Sequence, residues 1–222
     1  MSKELIDFLK EFLLEERYRN FQQVLSNRTN YINIVLEDIY QSQNASAVLR
    51  TADCFGIQTV HIIENKHSFQ INPDVTLGSS KWLNLNKYSL QSDNTKNALN
   101  DLKASGYRII ATVPNKDCTE LDNFDLKKGK VALFFGTELT GLSDEVINKA
   151  DEFLKIPMVG FTESFNISVS AAIILYELTR KLRLSDINWQ LSDEEKDIIL
   201  LEWLKQTLRK PELLIKKFYQ RK

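Results

Sequence analysis

Three short stretches of this chain place binding or reactive groups where a strand-like run gives way to a helix-like one. In "NASAVLRTAD", Asn44 offers an amide and Arg50 a fixed positive charge. In "LFFGTELTGLS", Gly136 and Gly141 flank Glu138, and a residue without Cβ at a strand end lets backbone approach a ligand closely. In "ESFNISVS", Ser164, Asn166, Ser168 and Ser170 supply more hydroxyl and amide groups than the single capping side chain a helix start needs. Such a set suits an uncharged or zwitterionic ligand held by amides and hydroxyls.

Each feature also has a plainer account. Asn44 serves as a helix N-cap and nothing more. Arg50 shares the helix face opposite the apolar stripe with Ser46 and Asp53, and an Arg50 to Asp53 surface ion pair is worth well under ~1 kcal/mol. Glu138 is then a solvated loop acid, and the hydroxyls of the third stretch satisfy backbone groups in a tight turn.

Several chemistries are excluded by what is missing. Gly136 and Gly141 have the spacing of a phosphate-binding loop, but Leu142 and Ser143 stand where its Lys-Ser/Thr pair belongs. No GxGxxG dinucleotide fingerprint occurs. Cys54, Cys118, His61 and His67 form no metal-binding or disulfide spacing, so no metal is expected. His61, inside "TVHII", reads as a satisfied, half-buried strand histidine.

The elements that must position these groups alternate. Residues 3–25 read as one helix, "YINIVLEDI" as a strand, "NASAVLRTADCFG" as a helix stopped by Gly56, and "QTVHII" as a second strand. Further strands are expected near 84–90, 107–113, 130–135 and 153–157, with helices near 94–105, 143–149 and 168–183. This order predicts an α/β fold with a mainly parallel sheet and helices on both faces. Ligands of such sheets bind outside the carboxyl ends of the strands, where all three stretches lie. From Ser192, "SDEEKDIILLEWLKQTL" reads as an acid-capped amphipathic helix. The expected organisation is an N-terminal helical extension (1–30), a core domain (31–185) and a C-terminal basic helical extension (186–222).

The 222 residues suffice for one sizeable domain with appended helices. A net charge of −1 argues against wholesale coating of nucleic acid, yet seven Lys/Arg from Trp203 onward face one acid, Glu212. That tail is either a solvated helix face or a phosphate-binding surface. No apolar run approaches the roughly 18 residues needed to span a bilayer, and the opening helix lacks the pattern of a secretory signal. The expected compartment is the cytoplasm, without a membrane partner.

Taken together, the three stretches resemble the three motifs of the SpoU/TrmH family of RNA ribose 2′-O-methyltransferases, in the SPOUT class. The first motif appears as Asn44, Ala47, Arg50 and Gly56, the second as Gly136, Glu138 and Gly141, and the third as Pro157, Ser164, Asn166, Ser168 and Ser170. "GSSKWLNL" between them is similar too, and the likeness spans about 31–180. The chain departs from the family at "YQSQN" before the first motif and at "TESFN" in the third, where Glu163 adds a charge.

The resemblance implies a deep C-terminal trefoil knot and S-adenosylmethionine as cofactor, lined by Thr112, Gly136, Ile156, Ser164, Phe165 and Asn166. It implies a homodimer with the active site at the interface. The short terminal extensions match the subgroup that methylates guanosine 18 of tRNA. Ribosomal RNA methylation and a catalytically silent RNA-binding relative stand as alternatives. The catalytic residues implied are Arg50, oriented by Asn44, with Glu138 and Asn166. Arg17, Arg19, Arg28, Lys216 and Lys217 are the expected RNA phosphate contacts.

Overall fold

The computed structural model describes residues 2–89, 92–114, 118–137 and 140–220. Glu138 therefore lies outside the described residues.

In chain order the elements are α1 (Ser2–Lys10), α2 (Glu15–Leu25), β1 (Ile32–Glu37), α3 (Ser42–Cys54), β2 (Thr59–Ile63), α4 (Pro73–Thr76), β3 (Asn84–Tyr88) and α5 (Asn94–Ala104). They continue with β4 (Arg108–Thr112), β5 (Thr119–Glu120), β6 (Val131–Phe135), α6 (Asp144–Lys149), β7 (Glu152–Lys155), α7 (Ile167–Leu184), α8 (Asp193–Thr207) and α9 (Pro211–Gln220). The single helix expected over 3–25 is two helices. Apolar spacing continues across the break, but the chain turns after Lys10 and restarts from Leu14, which has extended backbone. Strand β5 and helix α4 are too short to leave a periodic signal.

The seven strands pair in parallel in the order β3-β2-β1-β6-β4-β7-β5. Strands β1, β2 and β6 are buried at every position, as a sheet covered on both faces requires. Alternation sorts their side chains. Ile32, Ile34, Leu36, Leu133 and Phe135 join a core with Val48, Leu49 and Ala52 of α3 and Ile174, Leu175 and Leu178 of α7. On the other face Val35, Ala132 and Phe134 pack with Ala98, Leu99 and Leu102 of α5 and Val146 of α6. The α/β architecture expected from the sequence is thus observed. At roughly 25 cal/mol per Å² of apolar area, these two layers are the main source of stability.

Two compact units are present, Asn30–Trp189 with the whole sheet, and Met1–Thr29 with Gln190–Lys222. The terminal segments, separate in sequence, thus join in one helical unit, where α1 packs on α8 and α9 and α2 packs on α8. Its aromatic contacts include Phe21 on Trp203, centroids 5.5 Å apart, and Phe8 on Phe218 at 5.4 Å. Helix α8 opens with a capping box in which Ser192 accepts from the Glu195 N–H and the Glu195 carboxylate accepts from the Ser192 N–H.

Candidate active site

The first and third stretches meet. The Asn166 Nδ2 donates to the Asn44 Oδ1 at 3.2 Å, joining residues 122 positions apart. Asn44 is not the N-cap of α3. That helix begins at Ser42 with Gln41 as its cap residue, so Asn44 lies in the first turn and its Nδ2 donates to the Gln41 Oε1 at 2.8 Å. Asn166 does cap α7, its Oδ1 accepting from the Ser168 N–H at 2.9 Å and the Ser168 hydroxyl at 2.6 Å. Capping therefore employs two of the polar side chains of the third stretch, and the same Asn166 amide reaches across to the first.

The second stretch folds into a tight turn. Thr137 and Gly141 exchange backbone hydrogen bonds at 3.0 Å each way, and Gly141 has a φ of 69° that favours glycine. A Cβ at Gly136 would stand 2.3 Å from the Gly141 carbonyl carbon and oxygen and 2.4 Å from the Leu142 nitrogen. All three are backbone atoms, so only glycine fits. Ser143 caps α6 as its sequence suggests, its hydroxyl accepting from the Val146 N–H at 3.3 Å.

These parts open onto a cavity of about 890 Å³, whose lining includes Glu37, Asp38, Tyr40, Asn44, Gly136, Leu142 and Ile167. Two of its residues carry structural work that the sequence reading missed. Glu37, 3% exposed at the carboxyl end of β1, accepts from the Ser143 N–H at 2.9 Å, the Ser143 hydroxyl at 2.7 Å and the Thr95 hydroxyl at 2.8 Å. This carboxylate ties β1, α5 and the second stretch together. Asp38, at a φ of 56°, accepts on one oxygen from the N–H groups of Asn65, Lys66 and His67 at 2.8–3.1 Å. An acid ending a strand that is apolar at Ile34, Val35 and Leu36 was the available signal for Glu37.

The remaining expected residues are placed less uniformly. The Thr112 hydroxyl donates to the Phe134 carbonyl at 2.7 Å, which holds the end of β4 against β6. Ile156, just beyond β7, packs against the core. Ser164 and Phe165 are exposed in the segment leading to α7, as is Glu163. Arg50 is exposed on α3. Six residues beyond Asn44, it lies some 120° around the helix from it and does not line the cavity. Ser46, expected on that exposed face, is instead buried and accepts from the Asn72 N–H at 2.8 Å.

In the helical unit, Lys216 and Lys217 are exposed on α9. Arg17 is exposed with its guanidinium 5.9 Å from the Phe21 ring, and Arg19 pairs with Glu15. Arg28 corrects an expectation. It is 2% exposed with its guanidinium 5.5 Å from the Trp203 ring, so it is an interior side chain and is withheld from RNA phosphates.

Histidine 61 is more deeply buried than expected, 5% exposed, with its ring nitrogens 3.2 Å from the Asn33 Nδ2 and 3.4 Å from the Tyr88 hydroxyl. Burial lowers its pKa to about 4, partly opposed by Asp101. Burial and Asp101 likewise push the Tyr88 hydroxyl up to about 12. Both groups are neutral at physiological pH and act as packing and hydrogen-bonding elements.

The SpoU rRNA Methylase family matches residues 31–176, which contain all three stretches. The chain belongs to the SpoU methylase family. It is 48% identical to the tRNA (guanosine(18)-2′-O)-methyltransferase of Borreliella burgdorferi, over 92% of this chain and 91% of that protein. The enzyme of the same name from Thermus thermophilus is 32% identical over 86% of this chain and 97% of its own. Among solved SpoU structures, the A. aeolicus TrmH/SpoU tRNA modifying enzyme matches with a TM-score of 0.78 and 31% identity, over 88% of this chain and 98% of that one.

Proposed function

We propose that this protein methylates the 2′-hydroxyl of guanosine 18 in tRNA, with S-adenosylmethionine as donor. The observation that carries the reading is the Asn44 to Asn166 hydrogen bond, which joins the first and third motifs, while Asn44 and Gly136 of the second motif line one cavity. The names of the relatives support the choice of tRNA and of position 18. The donor set fits the cofactor, since amides and hydroxyls suit a zwitterion and the missing Cβ of Gly136 leaves the turn closed on itself. When bound, S-adenosylmethionine supplies a methyl group on a sulfonium. Gly136, Ile156 and Phe165 would hold it mainly through backbone, with Thr112, Ser164 and Asn166 shaping the pocket and the trefoil threading around it.

A guanidinium has donors and no acceptor, which makes Arg50 a clamp for phosphate and a stabiliser of developing alkoxide charge rather than a base. Its distance around α3 from Asn44 is accounted for by a homodimer in which Arg50 serves a site completed by the second copy. The fully exposed Val159 and Phe161, with Phe165 and Val169 beyond them, support such a pairing. Glu138 would hold the second-motif loop or contact substrate, and Arg17, Arg19, Lys216 and Lys217 would take phosphates. The cytoplasm, where tRNA is matured, is the proposed compartment; among the described residues no helix is long and apolar enough to cross a membrane.

The test is incubation with labelled S-adenosylmethionine and either tRNA or ribosomal RNA, followed by mapping of the modified nucleoside. Label at guanosine 18 is expected, and label on ribosomal RNA alone overturns the choice of substrate. Arg50→Ala should abolish turnover while S-adenosylhomocysteine still raises Tm; turnover like that of the wild type would remove Arg50 from the mechanism.

A further inference from the structure

Tyr40 is an aromatic ring 75% exposed on the loop between β1 and α3. Nothing in the packing requires it there, because the core on either face is complete without it. Its ring meets that of His67 edge to face, with centroids 5.0 Å apart at 69°. The pair belongs to the wall of the 890 Å³ cavity that also contains Asn44. It lines a second cavity as well, of about 670 Å³, and Lys66 borders both.

The loop carrying His67 is fixed from below. Asp38 takes the N–H groups of Asn65, Lys66 and His67, and the Glu64 carboxylate takes that of Phe69 at 2.7 Å, with Phe69 buried. Asp38 is held at a positive φ to do so, a conformation that aspartate tolerates but rarely adopts. The result is a rigid aromatic edge beside a polar cavity, with a lysine at its rim. Exposed aromatics of this kind, next to a cation, are how proteins hold unpaired bases, since every base offers a face to stack.

We propose that Tyr40 and His67 form the stacking platform for the base of the nucleotide whose ribose lies at Asn44, and that Lys66 takes an adjoining phosphate. The inference rests on the reading of this cavity as an RNA ribose site. It adds two aromatic positioning residues that the motif residues do not include. It also gives a purpose to the local sequence "YQSQN", where an aromatic stands four residues before Asn44.

The experiment uses the full chain and two tRNA transcripts, one unmodified and one with 2-aminopurine in place of guanosine 18. Wild type, Tyr40→Phe, Tyr40→Ala, His67→Ala and Lys66→Ala are compared, each with its Tm as a control for folding. On unmodified tRNA, kcat/KM should fall about 5- to 150-fold in Tyr40→Ala, the loss of one base-aromatic stack, and recover in Tyr40→Phe. The bound 2-aminopurine transcript should be dimmer with wild type and Tyr40→Phe than with Tyr40→Ala. Lys66→Ala should lower the salt dependence of binding, which Tyr40→Ala should leave alone. Unchanged kcat/KM and fluorescence in Tyr40→Ala, with an active wild type, overturn the platform and leave methyl transfer standing. Tyr40-dependent dimming by a wild type that makes no product leaves the platform standing and overturns methyl transfer. Absence of both signals overturns both.

Discussion

Replacing Glu37 by Gln tests how the second motif is held. The substitution is nearly isosteric, so it changes charge and hydrogen-bonding sense without opening a cavity. Glu37 Oε1 accepts from the hydroxyls of Thr95 and Ser143, and Oε2 from the Ser143 N–H. A glutamine has one acceptor oxygen. If it keeps the Oε1 place, its NH2 faces the Ser143 N–H, donor against donor. If it turns over, the NH2 faces two hydroxyls, both of which already accept, that of Ser143 from the Val146 N–H and that of Thr95 from the Asn65 Nδ2. In either arrangement at least one buried donor loses a charged acceptor, a cost of about 2–4 kcal/mol. For a unit of this size that corresponds to a fall in Tm of roughly 5–15 °C. Calorimetric melting of Glu37→Gln, Thr95→Val and the double variant reads it. Thr95→Val removes one donor and should cost about 1 kcal/mol, and the double variant should deviate from additivity by more than ~0.5 kcal/mol. A Tm within about 2 °C of wild type for Glu37→Gln would refute the reasoning, because it would mean that the carboxylate is not the acceptor these three donors depend on.

Gly136→Ala forces a methyl group onto the backbone of Gly141 and Leu142, and should cost about 3 kcal/mol and remove the Tm increase given by S-adenosylhomocysteine; an unimpaired increase would show that the turn can open. His61, with its pKa lowered to about 4 by burial, binds its proton more weakly in the folded chain than in the unfolded one. Its neutral-state contribution is present above pH ~6.5 and is lost as pH falls toward 4, about 3 kcal/mol in all, so His61→Gln should flatten the Tm profile across that window. A parallel profile for the variant would assign the acid sensitivity elsewhere. Charge reversal at Lys216 and Lys217 should weaken tRNA binding and reduce its salt slope, and an unchanged slope would make α9 a solvated face.

The alternation of strands and helices was legible because each element carries its own period. The run over β1 is apolar at Ile32, Ile34, Val35 and Leu36, and α3 repeats Ala45, Val48, Leu49 and Ala52 on one stripe. The break between α1 and α2 was not, since the apolar spacing runs through it. Arg28 shows the same limit for charge. In the sequence it is one more arginine near a basic terminus, and only its placement against Trp203 makes it an interior residue. Asn44 was mistaken for a cap because capping preference is local, whereas the turn that starts α3 two residues earlier is set by the whole loop from β1.

By itself the sequence determined which groups are available: the amides of Asn44 and Asn166, a glycine at a strand end, and the order of motifs that marks the family. Those properties are fixed by residue type and spacing. Only the tertiary structure decided what each group touches. It brought Asn166 within 3.2 Å of Asn44, spent Ser168 on capping, and left Arg50 out of the lining of the cavity at Asn44. It also raised Glu37, Asp38, Tyr40 and His67 to importance, residues that carry no motif. Their roles depend on partners between 27 and 106 positions away in the chain, a distance over which no local pattern carries information.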